Sequence, residues 1–414
     1  MLETTRELAK RLLRGDRQAL ARSITLIESM NESHREQAAL LLDDVFINKS
    51  KQSSNSNNNN NKTIPPIRLG IAGPPGAGKS TLIESLGSYL TNQGLKVAVL
   101  TIDPSSHVTG GSILGDKARM DELSRNPNAY VRSSPNGGVL GGLARYTNDV
   151  ITLCEGGGYD VVVLETVGLG QSEVHVDDVV DVVALILPPA GGDELQGVKK
   201  GIVEVADIVG VNKCDGDMVN QGKRTVSEYR QALHFCRPKQ PGWTTPVLPI
   251  SAAKGDGLEK LWSKVTECHE LLLEKGELWD RRRRQAELAM WDELKAQIMS
   301  LVEKDPELRR LAHKQARSLV SSIIPKQSKY FTYEDFETKG NRKLSLSDTY
   351  KLTSSPSSNQ KQPNHNRLEY DDVNEDEDDD LATTPRAAAS KLMKAIAGRL
   401  LTNQNPSLND SLKK

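Results

Sequence analysis

The spacing of apolar positions along the chain changes near residue 67. Between residues 2 and 47, apolar side chains recur every three or four positions among many charges, as at Leu8, Leu12 and Ile24. That spacing predicts amphipathic helices. From residue 67 to 275, short apolar runs rich in β-branched residues alternate with longer helical stretches. This alternation is typical of the α/β class, in which a mostly parallel sheet is covered by helices on both faces.

The pattern predicts six strands and five helices in this central part. The strands are 67–73, 96–102, 160–166, 181–187, 207–212 and 246–251, and the helices are 79–93, 141–155, 194–205, 217–236 and 257–275. Residues 276–325 remain helical but are highly charged, with four consecutive arginines at 281–284. Such a run fits either a nucleic-acid-binding surface or the solvated side of a helix. The lack of an accompanying aromatic or Gly-rich RNA-binding pattern favours the solvated helix and no nucleic-acid partner.

Composition sets the remaining boundaries. Residues 50–62 (SKQSSNSNNNNNK) and 328–384 are polar and cannot bury a core, which predicts disorder. The predicted segments are a helical segment at 1–48, an Asn-rich linker at 49–66, the α/β domain at 67–275, a helical arm at 276–327, an acidic insertion at 328–384 and a last helix at 385–402.

The net charge of −1 hides an uneven distribution, because residues 369–380 hold nine acids against a mildly basic remainder. The net charge therefore excludes neither an acidic nor a basic partner. The longest apolar stretches, such as 182–189, are too short to span a membrane, and no membrane partner is indicated. The Arg-rich first 25 residues could pass for a transit peptide, but Glu3, Glu7 and Asp16 favour a structural helix.

A phosphate-binding pattern, GxxxxGK[ST], lies between the first predicted strand and the helix that follows. Its residues are Gly73, Pro74, Pro75, Gly76, Ala77, Gly78, Lys79, Ser80 and Thr81. Glycines let such a loop curl so that backbone N–H groups point at phosphate oxygens, and the next helix adds its positive amino end. Lys79 can then reach the β and γ phosphates, and the Ser80 hydroxyl can ligate Mg²⁺. The pattern predicts a nucleoside triphosphate site.

A second motif, NKxD, follows the strand at 207–212 and predicts which base is bound. The carboxylate of Asp215 can accept hydrogen bonds from N1–H and the amino group of guanine, which adenine does not offer. Asn212 is expected to connect this motif to the phosphate loop, the Lys213 stem to cover the base, and Cys214 to act as a spacer. One strand later, backbone N–H groups can bind the guanine oxygen at Ser251, Ala252 and Ala253. Together these residues favour GTP over ATP.

Three acids that follow or lie near strands are candidates for the metal site with Ser80. They are Asp103, Asp116 and Glu165. Mg²⁺ takes one or two carboxylates beside phosphates, so not all three can be direct ligands. A plain turn or capping role for Asp103 or Asp116 stays open. Leu169 stands where Ras-type proteins have the glutamine that orients water.

The segment 191–200 (GGDELQGVKK) joins a strand to a helix. Its glycines permit movement, and its lysines could approach phosphates or a partner. A mobile connection with a solvated helix start is the alternative.

Six motifs together resemble the methylmalonyl-CoA mutase-associated GTPase family. They are GPPGAGKST, VLTIDPSS, TGGSILGDKARM, LETVGLGQSE, GGDELQGVKKGI and NKCDGD. The resemblance covers about residues 2–48, 63–327 and 385–400, and this chain departs from the family at its Asn-rich and acidic insertions.

The resemblance implies a Mg²⁺-dependent P-loop GTPase that binds GTP and GDP and acts as a chaperone of methylmalonyl-CoA mutase. It gates adenosylcobalamin loading and protects or reactivates the mutase. The implied catalytic and switch residues are Lys79, Glu165, Gln196 and Lys199. The resemblance also implies that the C-terminal helices form a dimerisation arm and that the protein is a homodimer. It implies the mitochondrial matrix as the compartment, and the cytoplasm is the alternative. An autonomous ATPase or kinase associated with amino-acid transport is the competing function.

Overall fold

A computed structural model describes residues 2–29, 31–56, 64–103, 120–135, 146–166, 175–189, 204–235 and 238–323. The chain divides into two compact units, Met1–Glu293 and Leu294–Lys414. The predictions for residues 328–384 and 385–402 lie outside the described residues.

The first unit is built on a seven-stranded parallel sheet, which confirms the predicted fold class. The strands lie in the order β3-β2-β4-β1-β5-β6-β7. Their bounds are β1 Ile67–Ala72, β2 Val97–Asp103, β3 Ala129–Pro135, β4 Val161–Glu165, β5 Val182–Leu187, β6 Ile208–Val211 and β7 Val247–Pro249. β1 lies between β4 and β5, and the chain crosses over it to build the second half of the sheet. Ligands bind at such a switch point in open α/β sheets, beyond the carboxyl ends of the strands.

Ten α-helices are described. They are α1 Leu2–Leu13, α2 Arg17–Glu28, α3 Glu32–Ser56, α4 Lys79–Asn92, α5 Asp121–Arg125, α6 Thr147–Gly156, α7 Val219–His234, α8 Leu258–Glu274, α9 Glu277–Lys304 and α10 Pro306–Ile323. The helices cover the sheet on both faces because side chains alternate along each strand. Ala98 and Leu100 pack in the layer that contains α1, α2, α3, α6 and α7. Val97 and Val99 pack in the layer that contains α4, α5 and α8. Among the described residues, no helix is long and apolar enough to cross a membrane.

The strand β3 is missing from the sequence prediction. It reads AYVRSSP and, among the described strands, pairs with β2 alone, at the edge of the sheet. An edge strand tolerates polar residues that a central strand does not, so its apolar signal is weak. Two of its polar side chains bind the N-terminal helices instead: the Arg132 guanidinium and the Ser134 hydroxyl both donate to the carboxylate of Glu28 on α2.

Helix α3 also differs from the prediction, since it continues to Ser56 and takes in the first part of the predicted linker 49–66. Once a helix has formed, each further residue adds a hydrogen bond at little cost, so polar residues can extend it. Within the predicted helices 141–155 and 194–205, residues 141–145 and 194–203 lie outside the described part.

The solvated-helix interpretation of the arginine run is wrong for its first two members. Arg281 and the Arg282 side chain are about nine-tenths buried, and both bind acidic residues of the sheet. Arg283 is exposed, as expected. The run therefore has a buried half and a solvated half, because successive helical residues point in different directions.

In the second unit, the described residues 294–323 form the end of α9 and all of α10. Val302 and Leu308 are buried against each other with Ile298 and Ala312 around them. Asp305 separates the two helices, and its Oδ1 caps α10 by accepting from the backbone N–H of Glu307 at 2.8 Å.

Candidate nucleotide-binding site

The loop after β1 has a curled backbone that depends on its glycines. Gly73, Gly76 and Gly78 have φ values of 148°, 79° and 87°, which side-chain-bearing residues rarely adopt. At Gly73 there is also no room for a side chain, since a Cβ would lie 2.0 Å from the carbonyl oxygen of Ile186 on β5. The loop leads directly into α4, which begins at Lys79. Backbone N–H groups at a helix amino end favour an anion.

The ammonium group of Lys79 lies within this loop. Its Nζ donates to the carbonyl oxygens of Gly73 at 2.9 Å and Pro74 at 3.2 Å, and the residue is buried. These contacts hold the cation where the phosphates of a bound nucleotide are expected. The neighbouring loop residues Pro75 and Gly76 are exposed, as is Thr81 on the first turn of α4, so the loop faces solvent.

Ser80 and Glu165 meet because β4 is the neighbour of β1. Glu165 is the last residue of β4, and its Oε1 accepts a hydrogen bond from the Ser80 hydroxyl at 2.8 Å. Glu165 is buried. Hydroxyl and carboxylate oxygens are the ligands that Mg²⁺ prefers, so this donor set fits the metal.

Four of the predicted metal and switch residues cannot be placed at the site, and they remain predictions. Asp103 ends β2, beside β4, but its side chain is not described. Asp116, Gln196 and Lys199 lie outside the described residues. Within the described part of the chain, no three His, Cys, Asp or Glu side chains converge as a metal cluster would require.

Asn212 joins three segments of the site through one buried amide. Its Nδ2 donates to the carbonyl oxygen of Ala77 at 2.9 Å and approaches that of Gly78 at 3.4 Å. Its Oδ1 accepts from the backbone N–H of Ala252 at 2.9 Å. The residue is 1% exposed, so loss of these contacts would leave polar groups buried and unpaired. The phosphate loop, the NKCD motif (212–215) and the Ser-Ala-Ala loop (251–253) are thus connected by hydrogen bonds of one side chain.

The residues predicted to read the base lie beside this connection. The hydroxyl of Ser251 donates to Oδ2 of Asp215 at 2.7 Å, which orients the carboxylate. Lys213 has φ 61°, the single positive value among the described residues other than glycine. A Cβ added to Gly78 would lie 3.7 Å from its Cε, so the Lys213 stem runs along the phosphate loop. Ala253 is exposed at the rim.

The structure adds one residue to the predicted site and a packing contact to another. The hydroxyl of Ser85 on α4 donates to the carbonyl oxygen of Ala252 at 2.7 Å, so α4 also holds the Ser-Ala-Ala loop. Cys214 is more than a spacer, because its sulfur would lie 2.3 Å from a Cβ added to Gly222 of α7. Partial burial raises the pKa of the Cys214 thiol. Neither contact has a signal in the local sequence.

The close approach of Asn212 to Gly78 gives a test of the loop geometry. Gly78→Ala would place a Cβ 2.5 Å from the Asn212 Nδ2, whereas nothing lies within 4 Å of a Cβ at Gly76. Both residues have similar positive φ values, so Gly76→Ala is a matched control for backbone strain. We expect Gly78→Ala to lower the free energy of unfolding by about 1–3 kcal/mol more than Gly76→Ala, measured by urea denaturation. Equal losses would show that Asn212 does not hold the loop.

A family model and similar relatives identify the family of this chain. The family model described as "Methylmalonyl Co-A mutase-associated GTPase MeaB" matches residues 20–307. The chain is 45% identical over 313 residues to "Methylmalonic aciduria type A homolog, mitochondrial" of Mus musculus, covering 76% of this chain and 74% of the relative. It is 41% identical over 283 residues to "GTPase ArgK" of Escherichia coli, covering 68% of this chain and 81% of the relative.

A solved structure also matches. It is titled "Crystal structure of LAO/AO transport system kinase", is 30% identical, covers 78% of this chain and 93% of its own, and has a TM-score of 0.59. The match of fold, of sequence over most of the chain and of the nucleotide-site motifs leads to one conclusion. The chain belongs to the methylmalonyl-CoA mutase-associated GTPase family, a family of GTP-hydrolysing enzymes.

Proposed function

We propose that this protein is a Mg²⁺-dependent GTPase that acts as a chaperone of methylmalonyl-CoA mutase. In this role its nucleotide state gates adenosylcobalamin loading and protects or reactivates the mutase. The observation that carries the nucleotide part is the buried Asn212 amide, which holds the phosphate loop and the base-reading loop in one arrangement. Family membership supports the mutase part.

Guanine recognition is assigned to Asp215 and the Ser251–Ala253 loop. The Ser251 hydroxyl holds Oδ2 of Asp215, so the carboxylate is oriented before a nucleotide arrives. A site built to pair two donors of guanine penalises adenine, which leaves the carboxylate unpaired. This argument disfavours an autonomous ATPase or kinase that serves amino-acid transport.

The phosphate end of the site is assigned to Lys79 and Ser80. Lys79 stabilises the negative charge that develops on the transferred phosphoryl group. Ser80 and Glu165 would hold Mg²⁺, with Asp103 and Asp116 as further members of the metal and switch shell. When bound, Mg²⁺ supplies neutralising charge beside the phosphates. Glu165 orients the Ser80 hydroxyl in the present arrangement.

Regulation is assigned to the segment 191–200. Since Leu169 replaces the water-orienting glutamine of Ras-type proteins, we expect the free protein to hydrolyse GTP slowly. Completing a site in trans accelerates other GTPases by about 10³–10⁵-fold. The segment follows β5, which neighbours the phosphate-loop strand, and it carries Gln196 and Lys199. Mutase binding would act through these two residues.

The proposed regulation by segment 191–200 can be tested at two adjacent lysines. We expect purified mutase to raise GTP turnover, and Lys199→Ala to remove most of that increase while GTP affinity stays unchanged. Lys200→Ala is the matched control and should be stimulated like the parent. Turnover is measured as phosphate release with and without mutase. If Lys199→Ala is stimulated as strongly as the parent, Lys199 does not transmit the effect of mutase binding.

A homodimer is also proposed. The part of α9 in the first unit exposes large apolar side chains to solvent: Trp279, Leu288, Met290 and Trp291 are each about half exposed. Large apolar side chains exposed along one helix are candidates for an interface, and a second copy is the occupant that family membership favours. Sedimentation equilibrium should give a dimer, and Trp291→Glu should shift it to the monomer. Asp292→Lys, at the next position, is the control and should stay dimeric; a monomeric parent would contradict the proposal.

For the compartment we propose the mitochondrial matrix, since relatives from Mus musculus and Caenorhabditis elegans are named as mitochondrial. A relative from a bacterium is also similar, so the cytoplasm is the alternative. Fractionation of the source cells distinguishes the two.

A further inference from the structure

A second cluster of charged residues lies at the edge of the sheet opposite the nucleotide site. Asp181 directly precedes β5 and Asp207 directly precedes β6, and both are fully buried. Arg68 is the second residue of β1. Because the strands are parallel, their amino ends meet at this edge. Two residues of α9, Arg281 and Arg282, enter the cluster from outside the sheet.

Arg282 binds Asp181 through two hydrogen bonds. Its Nε donates to Oδ1 at 2.9 Å and its Nη2 donates to Oδ2 at 2.6 Å, a bidentate geometry. The same Nη2 donates to the carbonyl oxygen of Pro66, just before β1, at 2.7 Å. Oδ2 of Asp181 also accepts from the backbone N–H of Arg68 at 3.0 Å. One ion pair therefore joins α9 to the starts of β1 and β5.

Arg281 extends the cluster to β6. Its guanidinium donates to the carbonyl oxygen of Asp181, and its Nη1 lies 3.7 Å from Oδ2 of Asp207. Asp207 in turn accepts from the backbone N–H of Val183 on β5 at 2.8 Å and from Lys239 Nζ at 2.9 Å. One turn after Arg281, Gln285 Nε2 donates to the carbonyl oxygen of Val180 at 2.7 Å.

The cation that neutralises Asp181 is Arg282 rather than the nearby histidine. His269 of α8 is buried with its Nε2 3.8 Å from Oδ2 of Asp181. Burial lowers the pKa of His269 and so disfavours the charged form of its ring. Burial lowers the pKa of Arg282, but the charge and hydrogen bonds of Asp181, together with the charge of Glu155, leave that pKa above its ordinary value. The negative charge of Asp181 is therefore neutralised by Arg282 of α9.

Buried ion pairs of this kind contribute little to stability. The cost of removing both charges from water roughly cancels their attraction, and apolar replacements are often as stable. Such a pair does specify one geometry, since a buried charge that loses its partner is strongly unfavourable. The position of the first turns of α9 is thus fixed to the amino ends of β1, β5 and β6.

We infer that Arg281 and Arg282 couple the nucleotide state of the site to the first turns of α9. This inference rests on the proposed nucleotide site. β1, β5 and β6 lead at their carboxyl ends into the phosphate loop, the segment that contains residues 191–200, and the NKCD motif. These strands have four to six residues, so each is roughly 13–20 Å long from its amino end to its carboxyl end. A ligand at one edge and α9 at the other therefore act on the same three strands.

The inference predicts that α9 responds to the nucleotide and that Arg282 is required. In the full-length parent, backbone hydrogen exchange in residues 277–285 should differ about fivefold or more between the GDP complex and the complex with a non-hydrolysable GTP analogue. Arg282→Met should lose this difference. Arg283→Met is the matched control, because Arg283 is exposed and, within the described part of the chain, pairs with Asp280 on the same helix. It should keep the difference.

A second readout separates coupling from a purely structural role. Coupling is reciprocal, so Arg282→Met should change the ratio of the GDP and analogue dissociation constants by a comparable factor, and Arg283→Met should not. A structural role alone would lower the melting temperature and leave that ratio unchanged, which would overturn the inference. Should Arg282→Met not fold, Arg282→Lys keeps the charge but loses the bidentate contact, and it should show a reduced difference.

The outcomes also distinguish this inference from the proposed function. If the parent binds both nucleotides and exchange in residues 277–285 is the same with each, the coupling is wrong and the nucleotide site stands. If the parent binds neither nucleotide, the proposed function fails and the coupling fails with it.

Discussion

Lys79→Ala is expected to lower GTP turnover by about 10²–10³-fold or more, the typical cost of removing one group that stabilises developing negative charge. The Nζ of Lys79 is held by the carbonyl oxygens of Gly73 and Pro74, within the curl of the loop. A cation in this loop is expected to meet the β and γ phosphates of a bound nucleotide. Alanine removes the charge of Lys79, while the positive-φ glycines that curl the loop remain.

The measurement is single-turnover phosphate release together with the nucleotide dissociation constant. Lys223→Ala, which removes an exposed lysine on α7, is the control for loss of one positive charge. The control should hydrolyse GTP like the parent. If Lys79→Ala keeps most of its turnover, the phosphate site lies elsewhere.

Asp215→Asn is expected to change the base preference of the site. Its carboxylate is the assigned acceptor for two donors of guanine, and hydrogen bonds to a charged group contribute about 1.5–3 kcal/mol each. Losing them should weaken GTP binding by about 10²-fold or more. Xanthosine triphosphate should gain affinity, because its base carries an oxygen where guanine has the amino group and an amide can donate to it.

Competition against a fluorescent GDP analogue measures both nucleotides. Asp217→Asn is the control, since Asp217 is an exposed acid two residues along the chain. Its preference should match that of the parent. If Asp215→Asn retains the parent's preference for GTP over xanthosine triphosphate, Asp215 does not read the base.

Most of the sheet was predictable because its central strands are buried on both faces. β4, β5 and β6 are buried at every residue, so they read as uninterrupted apolar runs. The edge strand β3 was missed because Arg132 and Ser134 make it polar. These side chains bind Glu28, more than 100 residues earlier, and no local pattern announces that contact.

The curled backbone of the proposed nucleotide site was predictable from its glycines. Gly73 and Gly78 have positive φ values and no room for a Cβ. Both positions therefore require glycine, and a short run of consecutive residues reveals the loop. The arginine cluster was not predictable. Arg282 and its partner Asp181 are 101 residues apart, and four successive arginines give no sign of which two are buried.

The central claim is that the phosphate loop, NKCD and the Ser-Ala-Ala loop form one site for GTP. The most direct measurement is the rate of phosphate release by the unmodified protein from GTP and from ATP, at equal subsaturating concentrations with Mg²⁺. The predicted result is hydrolysis of GTP at least about 10²-fold faster than hydrolysis of ATP, since adenine lacks the donors that Asp215 pairs with. Equal rates with the two nucleotides would contradict the claim.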